Sequence, residues 1–224
     1  MNPKNIDTES VQKIILEQGI LPLYFHKEAS VSLEVLRAVH SAGVHAIEYT
    51  NRGDEAFHNF KEMIALRNAE IPEMSIGIGT IKNLLQAKMY LDAGADFLVS
   101  PGFVHEVATY CVQNDVFYAP GCMTPSDIIA AENVGIRFIK LFPGNVLGPE
   151  YMATIKDIFP KLLFMPTGGV DTTYENIKSW FDAGVSAVGL GSKLISKKCM
   201  EAREYDTIAT ETQKVLELIK TIKN

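Results

Sequence analysis

A lysine inside an apolar segment, FIKLFPG at residues 138–144, is the first candidate for chemistry. Lys140 stands between Ile139 and Leu141, and stripping water from an ammonium group costs several kcal/mol unless a partner compensates. Burial favours the neutral amine, and a neutral amine attacks carbonyl carbons to form Schiff bases. We therefore consider Lys140 as a Schiff-base nucleophile or, alternatively, as one half of a structural ion pair.

The carboxylate that could face this lysine is Glu48, in the segment AIEYT. Side chains alternate along a strand, so Glu48 points to the same side as Ala46 and Thr50 and away from the residues at 47 and 49. A charge pressed against a packed helix layer would have neither water nor a partner. We therefore predict that Glu48 and Lys140 both face the interior of the sheet and converge there.

Other polar residues follow predicted strands, at the ends where barrel enzymes form their active sites. They are Arg52, Thr80, Ser100, Thr124, Thr167 and Ser192. Two glycine-rich strand ends, PTGG at 166–169 and GLGS at 189–192, follow each other along the chain. Backbone N–H groups in such turns bind phosphate in many barrels, although glycine-rich segments also make ordinary tight turns. We predict a phosphate site at these two ends.

The helices and strands that must position these residues are indicated by a weak internal repeat in the sequence. The segments SAGVHAIEYT (41–50), DAGADFLVSP (92–101), NVGIRFIKLF (133–142) and DAGVSAVGLG (182–191) each run from a helix-like end through glycine into an apolar stretch. Glycine just past a helix end favours the left-handed conformation that lets a strand begin. Further strands are predicted near 19–25, 75–80, 116–121 and 162–169, and helices at 32–42, 54–68, 83–93, 104–114, 126–133, 175–182 and 203–221.

Strands that alternate with helices indicate right-handed βαβ units and a parallel sheet. Eight strands predict an α/β fold of the (β/α)8 TIM-barrel type, preceded by a short helix near 8–18, as one domain over residues 1–224. An open doubly wound sheet is the alternative. No G-x-G-x-x-G motif opens a helix after the first strand, which disfavours it.

Composition indicates a small-molecule partner. The chain has 224 residues, a formal net charge of -6 and no basic stripe for nucleic acid. The cysteines, Cys111, Cys122 and Cys199, are widely spaced without a CxxC pair, which disfavours a disulfide framework or a zinc site. Glu17 interrupts the first apolar run, so neither a signal peptide nor a membrane span is predicted, and we expect a cytoplasmic protein.

The histidines fall at scattered positions without the spacing of metal ligands. They are His26, His40, His45, His58 and His105. Most are expected to be surface or helix-cap residues, so no metal site is predicted from them.

Taken in chain order, the motifs Glu48-x-x-x-Arg52, GIGT, SPG, PGCMTPSD, FIKLFP, PTGG and GLGS resemble those of the 2-keto-3-deoxy-6-phosphogluconate (KDPG) aldolase family. That family includes 4-hydroxy-2-oxoglutarate (KHG) aldolases, and the likeness covers roughly residues 10–220. The resemblance implies a class I aldolase without metal or organic cofactor. It also implies a homotrimer that acts on a small 2-oxo acid and releases pyruvate.

The resemblance assigns roles to individual residues. Lys140 matches the Schiff-base lysine, and Glu48 matches the general acid/base. Further matches are Arg52 and Thr80 for the pyruvate carboxylate, Pro101, Phe142 and Thr167 for the pocket wall, and Gly168, Gly169 and Ser192 for the phosphate.

Three segments depart from the usual family pattern at the border of the pocket. They are TNRG at 50–53, which contains Arg52, PGCMTP at 120–125, and FPGN at 142–145. These departures leave the aldehyde half of the substrate open, so an unphosphorylated or epimeric 2-oxo acid is an alternative. A phosphate-binding barrel without Schiff-base chemistry, such as a sugar-phosphate epimerase or a thiamine-phosphate-type synthase, and a non-catalytic binding barrel are further alternatives. A lysine in an apolar strand facing Glu48 favours the aldolase over both.

Overall fold

The fold is described from a computed structural model, which covers residues 7–223. Its strands are β1 Ile20–Tyr24, β2 Ala46–Thr50, β3 Ser75–Gly79, β4 Phe97–Val99, β5 Phe117–Ala119, β6 Gly121–Cys122, β7 Phe138–Leu141, β8 Leu163–Pro166 and β9 Val188–Leu190. Its helices are α1 Thr8–Gln18, α2 Ala29–Ser41, α3 Ala56–Glu70, α4 Leu84–Asp92, α5 His105–Gln113, α6 Pro125–Val134, α7 Gly144–Ile158, α8 Tyr174–Asp182, α9 Lys197–Ala202 and α10 Tyr205–Lys223. Among these helices, none combines the length and apolarity needed to cross a bilayer.

The strands pair in parallel in two sheets, in the orders β5-β4-β3-β2-β1-β9 and β6-β7-β8. Pro120 separates β5 from β6, and its carbonyl accepts a hydrogen bond from the Lys140 N–H at 3.0 Å. Proline has no N–H to give to a ladder, which explains the break in the predicted strand 116–121. The α/β fold with parallel strands that the alternation predicts is confirmed.

The period-two pattern of the strands separates two apolar layers, as the sequence predicts. Ala46 and Phe138 pack in an interior cluster with Phe97, Phe117 and Met165. Ile47, Tyr49, Ile139 and Leu141, which alternate with them, belong to the larger cluster that includes the helices. Glu48 and Lys140 extend the interior side of their strands toward the carboxyl ends.

Helix α1 lies at the amino-terminal ends of the strands, and its prediction at 8–18 is confirmed. The Asp7 side chain accepts a hydrogen bond from the Ser10 N–H at 2.7 Å, which caps the helix. Val11 and Ile15 are fully buried in the interior cluster. The Gln18 side chain donates to the carbonyl of Ala46 at 2.9 Å, so α1 is fixed against the start of β2.

Helix α7 was not predicted. It begins at Gly144, and Gly148 inside it has the non-helical angles φ 77° and ψ 166°, directly before Pro149. Glycine and proline are both unfavourable inside a helix. The first turns of α7 therefore have an amino-acid composition typical of a loop. The remainder of the helix packs through Met152 and Ile155, which are buried.

Candidate active site

A cavity of about 590 Å³ lies at the carboxyl ends of the strands. All ten residues proposed for the site from sequence line it: Glu48, Arg52, Thr80, Pro101, Lys140, Phe142, Thr167, Gly168, Gly169 and Ser192. They come from the ends of β2, β3, β4, β7, β8 and β9. Parallel strands place their carboxyl ends at one edge of a sheet, which is why residues up to 144 positions apart in sequence (192 minus 48) share one space.

Lys140 and Glu48 face each other at the base of the cavity. The Lys140 Nζ lies 3.7 Å from the Glu48 Oε2, an ion-pair distance slightly too long for a hydrogen bond. The side chains are only 6% and 1% exposed. The Nζ also lies 5.4 Å from the centre of the Phe142 ring, over its face. The predicted convergence of the two charges is therefore confirmed.

Burial lowers the pKa of Lys140 below the ordinary value of a lysine. Desolvation is the largest cause, and the positive charge of Arg52 acts in the same direction. The negative charge of the Glu48 carboxylate opposes both, but the net direction is downward. A lower pKa increases the fraction of neutral amine near neutral pH, which is the form that attacks a carbonyl carbon.

Two buried polar atoms in the cavity have no hydrogen-bond partner among the described residues. They are the Oε2 of Glu48 and the Oγ1 of Thr167. Buried polar atoms in folded proteins are nearly always paired, with protein, water or a ligand. These two atoms therefore mark where the cavity can accept or donate hydrogen bonds to a bound molecule.

Two glycines that the sequence analysis did not single out shape the cavity. A Cβ added at Gly79 would lie 1.8 Å from the Oε1 of Glu48, and one added at Gly189 would lie 2.2 Å from the Oγ1 of Thr167. Both strands thus pass directly beneath a predicted site residue. The two glycines belong to the motifs GIGT and GLGS, but a glycine inside a strand indicates only that some group approaches closely, and not which one.

Thr80 has φ 65°, in the left-handed region that a β-branched residue rarely adopts. It directly follows β3 and lines the cavity. Arg52 follows β2 by two residues and its side chain also borders the cavity. Strained backbone is concentrated at functional sites, where the surrounding structure holds it, so the position of Thr80 agrees with a role in binding.

The far end of the cavity carries backbone N–H groups. Gly168 and Gly169 have φ 93° and 72°, which glycine adopts readily. In the part of the chain that is described, the N–H groups of Gly169, Ser192 and Lys193 donate no hydrogen bond. The Lys193 Nζ lies 3.2 Å from the Oδ2 of Asp171 beside this end. The region is suited to an anion.

Two of the polar strand-end residues do not line the cavity. Ser100 is fully buried and does not belong to the cavity lining. Thr124 caps α6 instead: its side chain accepts from the Asp127 N–H at 3.3 Å, in a capping box. Conversely, four cationic or imidazole side chains that border the cavity were not predicted: His26, Lys27, Lys193 and Lys197. They lie in loops or the first turn of a helix, where strand periodicity gives no signal.

Known proteins resemble this chain over nearly its whole length. It is 28% identical over 201 residues to the 2-dehydro-3-deoxy-phosphogluconate aldolase of Dickeya dadantii (strain 3937), covering 89% of this chain and 91% of that one. It is 26% identical over 213 residues to the KHG/KDPG aldolase of Escherichia coli (strain K12), covering 93% and 95%.

A solved structure also matches closely. The KDPG aldolase of Legionella pneumophila, with pyruvate captured as a covalent carbinolamine intermediate, has a TM-score of 0.84 and 25% identity. The match covers 92% of this chain and 97% of that one. A family model for KDPG and KHG aldolase matches residues 11–211. The chain therefore belongs to the KDPG and KHG aldolase family.

Proposed function

We propose that this protein is a Schiff-base aldolase. It reversibly cleaves KDPG to pyruvate and glyceraldehyde 3-phosphate, or KHG to pyruvate and glyoxylate, or both. The observation that carries the proposal is Lys140, a buried lysine of lowered pKa that lies 3.7 Å from a buried carboxylate in a cavity. Neither an epimerase nor a binding barrel needs a desolvated amine at this point.

Lys140 is the nucleophile of the proposed reaction. Its neutral amine attacks the C2 ketone of the 2-oxo acid, and loss of water from the carbinolamine gives an iminium. The iminium accepts the electron pair of the C3–C4 bond when that bond breaks. The L. pneumophila relative supports this chemistry, because pyruvate is held there as a covalent carbinolamine.

Glu48 is the general acid/base. It takes the proton of the C4 hydroxyl, directly or through water, while the C3–C4 electrons form an enamine and the aldehyde departs. The same carboxylic acid then returns a proton to C3, and water hydrolyses the iminium to release pyruvate and restore Lys140. The short distance between the two side chains supports both proton transfers.

Arg52 and Thr80 are proposed to hold the carboxylate of the substrate. A guanidinium matches the geometry of a carboxylate with two parallel hydrogen bonds. Pro101, Phe142 and Thr167 line the pocket around the reacting carbons. No metal or organic cofactor enters the proposed mechanism, because the iminium is the electron sink.

The phosphorylated substrate is favoured by the far end of the cavity. Gly168, Gly169 and Ser192 offer backbone and hydroxyl groups, and Lys193 and Lys197 border the same space. An aldehyde half without phosphate would leave these groups unused. An epimeric or unphosphorylated 2-oxo acid remains the second candidate because the segments around the pocket depart from the family pattern.

We also propose that the two sheets form one closed (β/α)8 barrel in a single domain. Support comes from Pro120, which joins β5 to β6, and from two links between β8 and β9. The Ser186 N–H donates to the carbonyl of Phe164 at 2.9 Å, and Thr167 pairs with Gly189 in a parallel bridge.

A homotrimer is the proposed assembly, as the family resemblance implies. Helices α4, α5 and α6 neighbour one another and expose the apolar side chains of Leu85, Val112 and Ile129. Exposed apolar patches often mark subunit contacts.

We further propose a cytoplasmic location, which the free thiols of the three cysteines support.

Borohydride trapping tests the function directly. Incubation with pyruvate and borohydride should add one reduced pyruvate to the intact mass, and peptide mapping should place it on Lys140. Lys140→Ala removes the amine, and Lys140→Arg keeps the charge without the nucleophile, so both variants should prevent the adduct.

Lys156→Ala is the matched control. Burial lowers the pKa of Lys156 as well, but Lys156 lies outside the cavity and donates to the Leu162 carbonyl. An adduct that persists in Lys140→Ala would remove the basis of the proposal.

A further inference from the structure

Two histidines and a glutamate that are distant in sequence meet outside the catalytic cavity. One ligand atom each of His40, His45 and Glu73 lies within 4.8 Å of the others. His40 is in the last turn of α2, His45 directly precedes β2, and Glu73 lies between α3 and β3. In sequence these residues lack the spacing of metal ligands, but the fold brings their ligand atoms together. We propose that the three side chains form a binding site for a divalent transition-metal ion such as zinc.

The ligand types suit zinc rather than magnesium or calcium. Imidazole nitrogen with carboxylate oxygen is a common zinc set, whereas magnesium and calcium prefer oxygen ligands alone. Two imidazoles and one carboxylate leave positions for water, which suits an ion held at a surface. One carboxylate also offsets half of the charge of a divalent ion.

The distances require only small movements of side chains. The His40 Nε2 and the Glu73 Oε1 lie 2.6 Å apart, as in a hydrogen bond. Ligand atoms around tetrahedral zinc lie about 3.3–3.5 Å from each other, given metal–ligand distances near 2.1 Å. The pair must therefore separate by less than about 1 Å. The rings of His40 and His45 are 6.0 Å apart and nearly perpendicular, so both edges can turn toward one point.

The backbone that carries the ligands is held in place, which reduces the entropy cost of binding. The His45 N–H donates to the Gln18 Oε1 at 3.0 Å, and the His45 carbonyl accepts from the Ser75 N–H at 2.8 Å. The last bond ties the start of β2 to the segment that carries Glu73. The carbonyl of His40 accepts from the Gly43 N–H at 2.9 Å.

The basic side chain on α2 that lies nearest to His40 in sequence is already paired with carboxylates. Arg37 lies one turn before His40 on α2, but it is bridged by Glu34 at 2.5 Å and by Glu70 at 2.7 Å. The Glu73 side chain is 54% exposed and the His40 side chain 23%, so an ion can reach both. The site lies at the amino-terminal ends of β2 and β3, whereas the cavity lies at the carboxyl ends. A bound ion would join α2, β2 and β3 without taking part in the aldol reaction.

Calorimetry and thermal unfolding test the proposal on the full chain. Protein stripped with EDTA and titrated with zinc chloride should bind one ion, and its Tm should rise by about 5–10 °C at roughly a hundredfold excess over Kd. His40→Asn and Glu73→Gln should each weaken binding at least about tenfold, the lower limit seen even for indirect ligand partners. His58→Asn, which changes an exposed histidine on α3 outside the cluster, should bind like the parent.

Cobalt supplies a second, structural readout. Cobalt(II) in the parent should give the visible absorption of a four-coordinate site, and His45→Asn should lose it while keeping its metal-free Tm. Formation of the pyruvate adduct should be the same with zinc and with EDTA, so failure of the metal site and failure of the aldolase proposal are distinguishable. Zinc binding of equal strength in the parent and in a His40→Asn/His45→Asn double variant would overturn the site, as would no binding by the parent.

Discussion

The carboxylate of Glu48 lies over the α-carbon of Gly79 on the neighbouring strand, so closely that a methyl group there would stand 1.8 Å from its Oε1. Residues 48 and 79 are not register partners: Glu48 pairs with Gly77, and Thr50 pairs with Gly79. The Glu48 side chain therefore leans toward the carboxyl end of β3, where it approaches Lys140. The position of the proposed general acid/base therefore requires a glycine at residue 79, which has no side chain to react.

Gly79→Ala should displace Glu48 and slow proton transfer while leaving Schiff-base formation intact. A misplacement near 1 Å costs on the order of 10²-fold in rate, so exchange of the C3 protons of pyruvate should fall by about that factor. NMR in deuterated water measures the exchange, and borohydride trapping measures the adduct.

Gly102→Ala is the control for this change. It lies next to Pro101 at the border of the cavity, but a Cβ there meets no atom within 4 Å. Its exchange rate should equal that of the parent. Equal rates in Gly79→Ala and the parent would mean that the carboxylate does not need this position.

Glu48→Gln should still form the reduced pyruvate adduct but lose C3 proton exchange by about 10²–10⁴-fold, the usual worth of general acid/base catalysis. The amide keeps the size of the side chain and removes its proton affinity. Glu55→Gln serves as the control, because Glu55 is exposed, follows Arg52 by three residues and does not line the cavity. Exchange at the parent rate in Glu48→Gln would assign the base to another group.

The pH dependence of adduct formation should report the lowered pKa of Lys140. The neutral amine is the nucleophile, so the rate should rise with pH and level off above a pKa that lies below the 10.5 of a free lysine. Because the charge of Arg52 is one cause of the lowering, Arg52→Gln should raise that pKa and move the profile to higher pH. Rates are measured at saturating pyruvate, since Arg52 is also a proposed carboxylate ligand.

Arg137→Gln controls for the loss of a positive charge as such. Arg137 is exposed at the opposite end of the strand that carries Lys140, and its charge is not among the causes of the shift. Its profile should coincide with that of the parent. A profile that moves equally in both variants would mean that the effect on Lys140 is not local.

The meeting of Glu48 and Lys140 was predictable from sequence because it depends on strand periodicity. Alternation by two places Glu48 and Lys140 on the interior side, and the common end of parallel strands gathers the rest. Gly79 and Gly189 were not predictable, since a glycine in a strand does not reveal which side chain lies over it. Helix α7 was missed because Gly144, Gly148 and Pro149 give its first turns the composition of a loop.

The histidine cluster was missed for a different reason. His45 and Glu73 are 28 residues apart (73 minus 45), and only the pairing of Ala46 with Ser75 brings them together. Sequence spacing reveals ligands on one helix or one hairpin, but not ligands that a parallel register aligns. Contacts of this kind need the register of neighbouring strands, which composition does not fix.

On the proposed assignment, Ser192 and the glycines at the far end of the cavity distinguish phosphorylated from unphosphorylated substrates. If this end binds phosphate, its contacts are remote from the bond that breaks, and their energy should appear in kcat/KM for phosphorylated substrates. Ser192→Ala removes one hydrogen bond to a charged group, worth ~1.5–3 kcal/mol, and should lower kcat/KM for KDPG by about 10- to 150-fold. Cleavage of KHG, which carries no phosphate, should change little.

Gly169→Val should act in the same direction and more strongly. A Cβ at residue 169 would lie 2.3 Å from the Cβ of Asn145, and φ is 72° there, so a branched side chain would displace the backbone that the phosphate approaches. The decisive quantity is the ratio of kcat/KM for KDPG to that for KHG, measured in the parent and in both variants, with inorganic phosphate as a competitor of KDPG. If Ser192→Ala lowers both values equally, or phosphate does not compete, the ends of β8 and β9 do not hold a phosphate, and the unphosphorylated 2-oxo acid becomes the better substrate assignment.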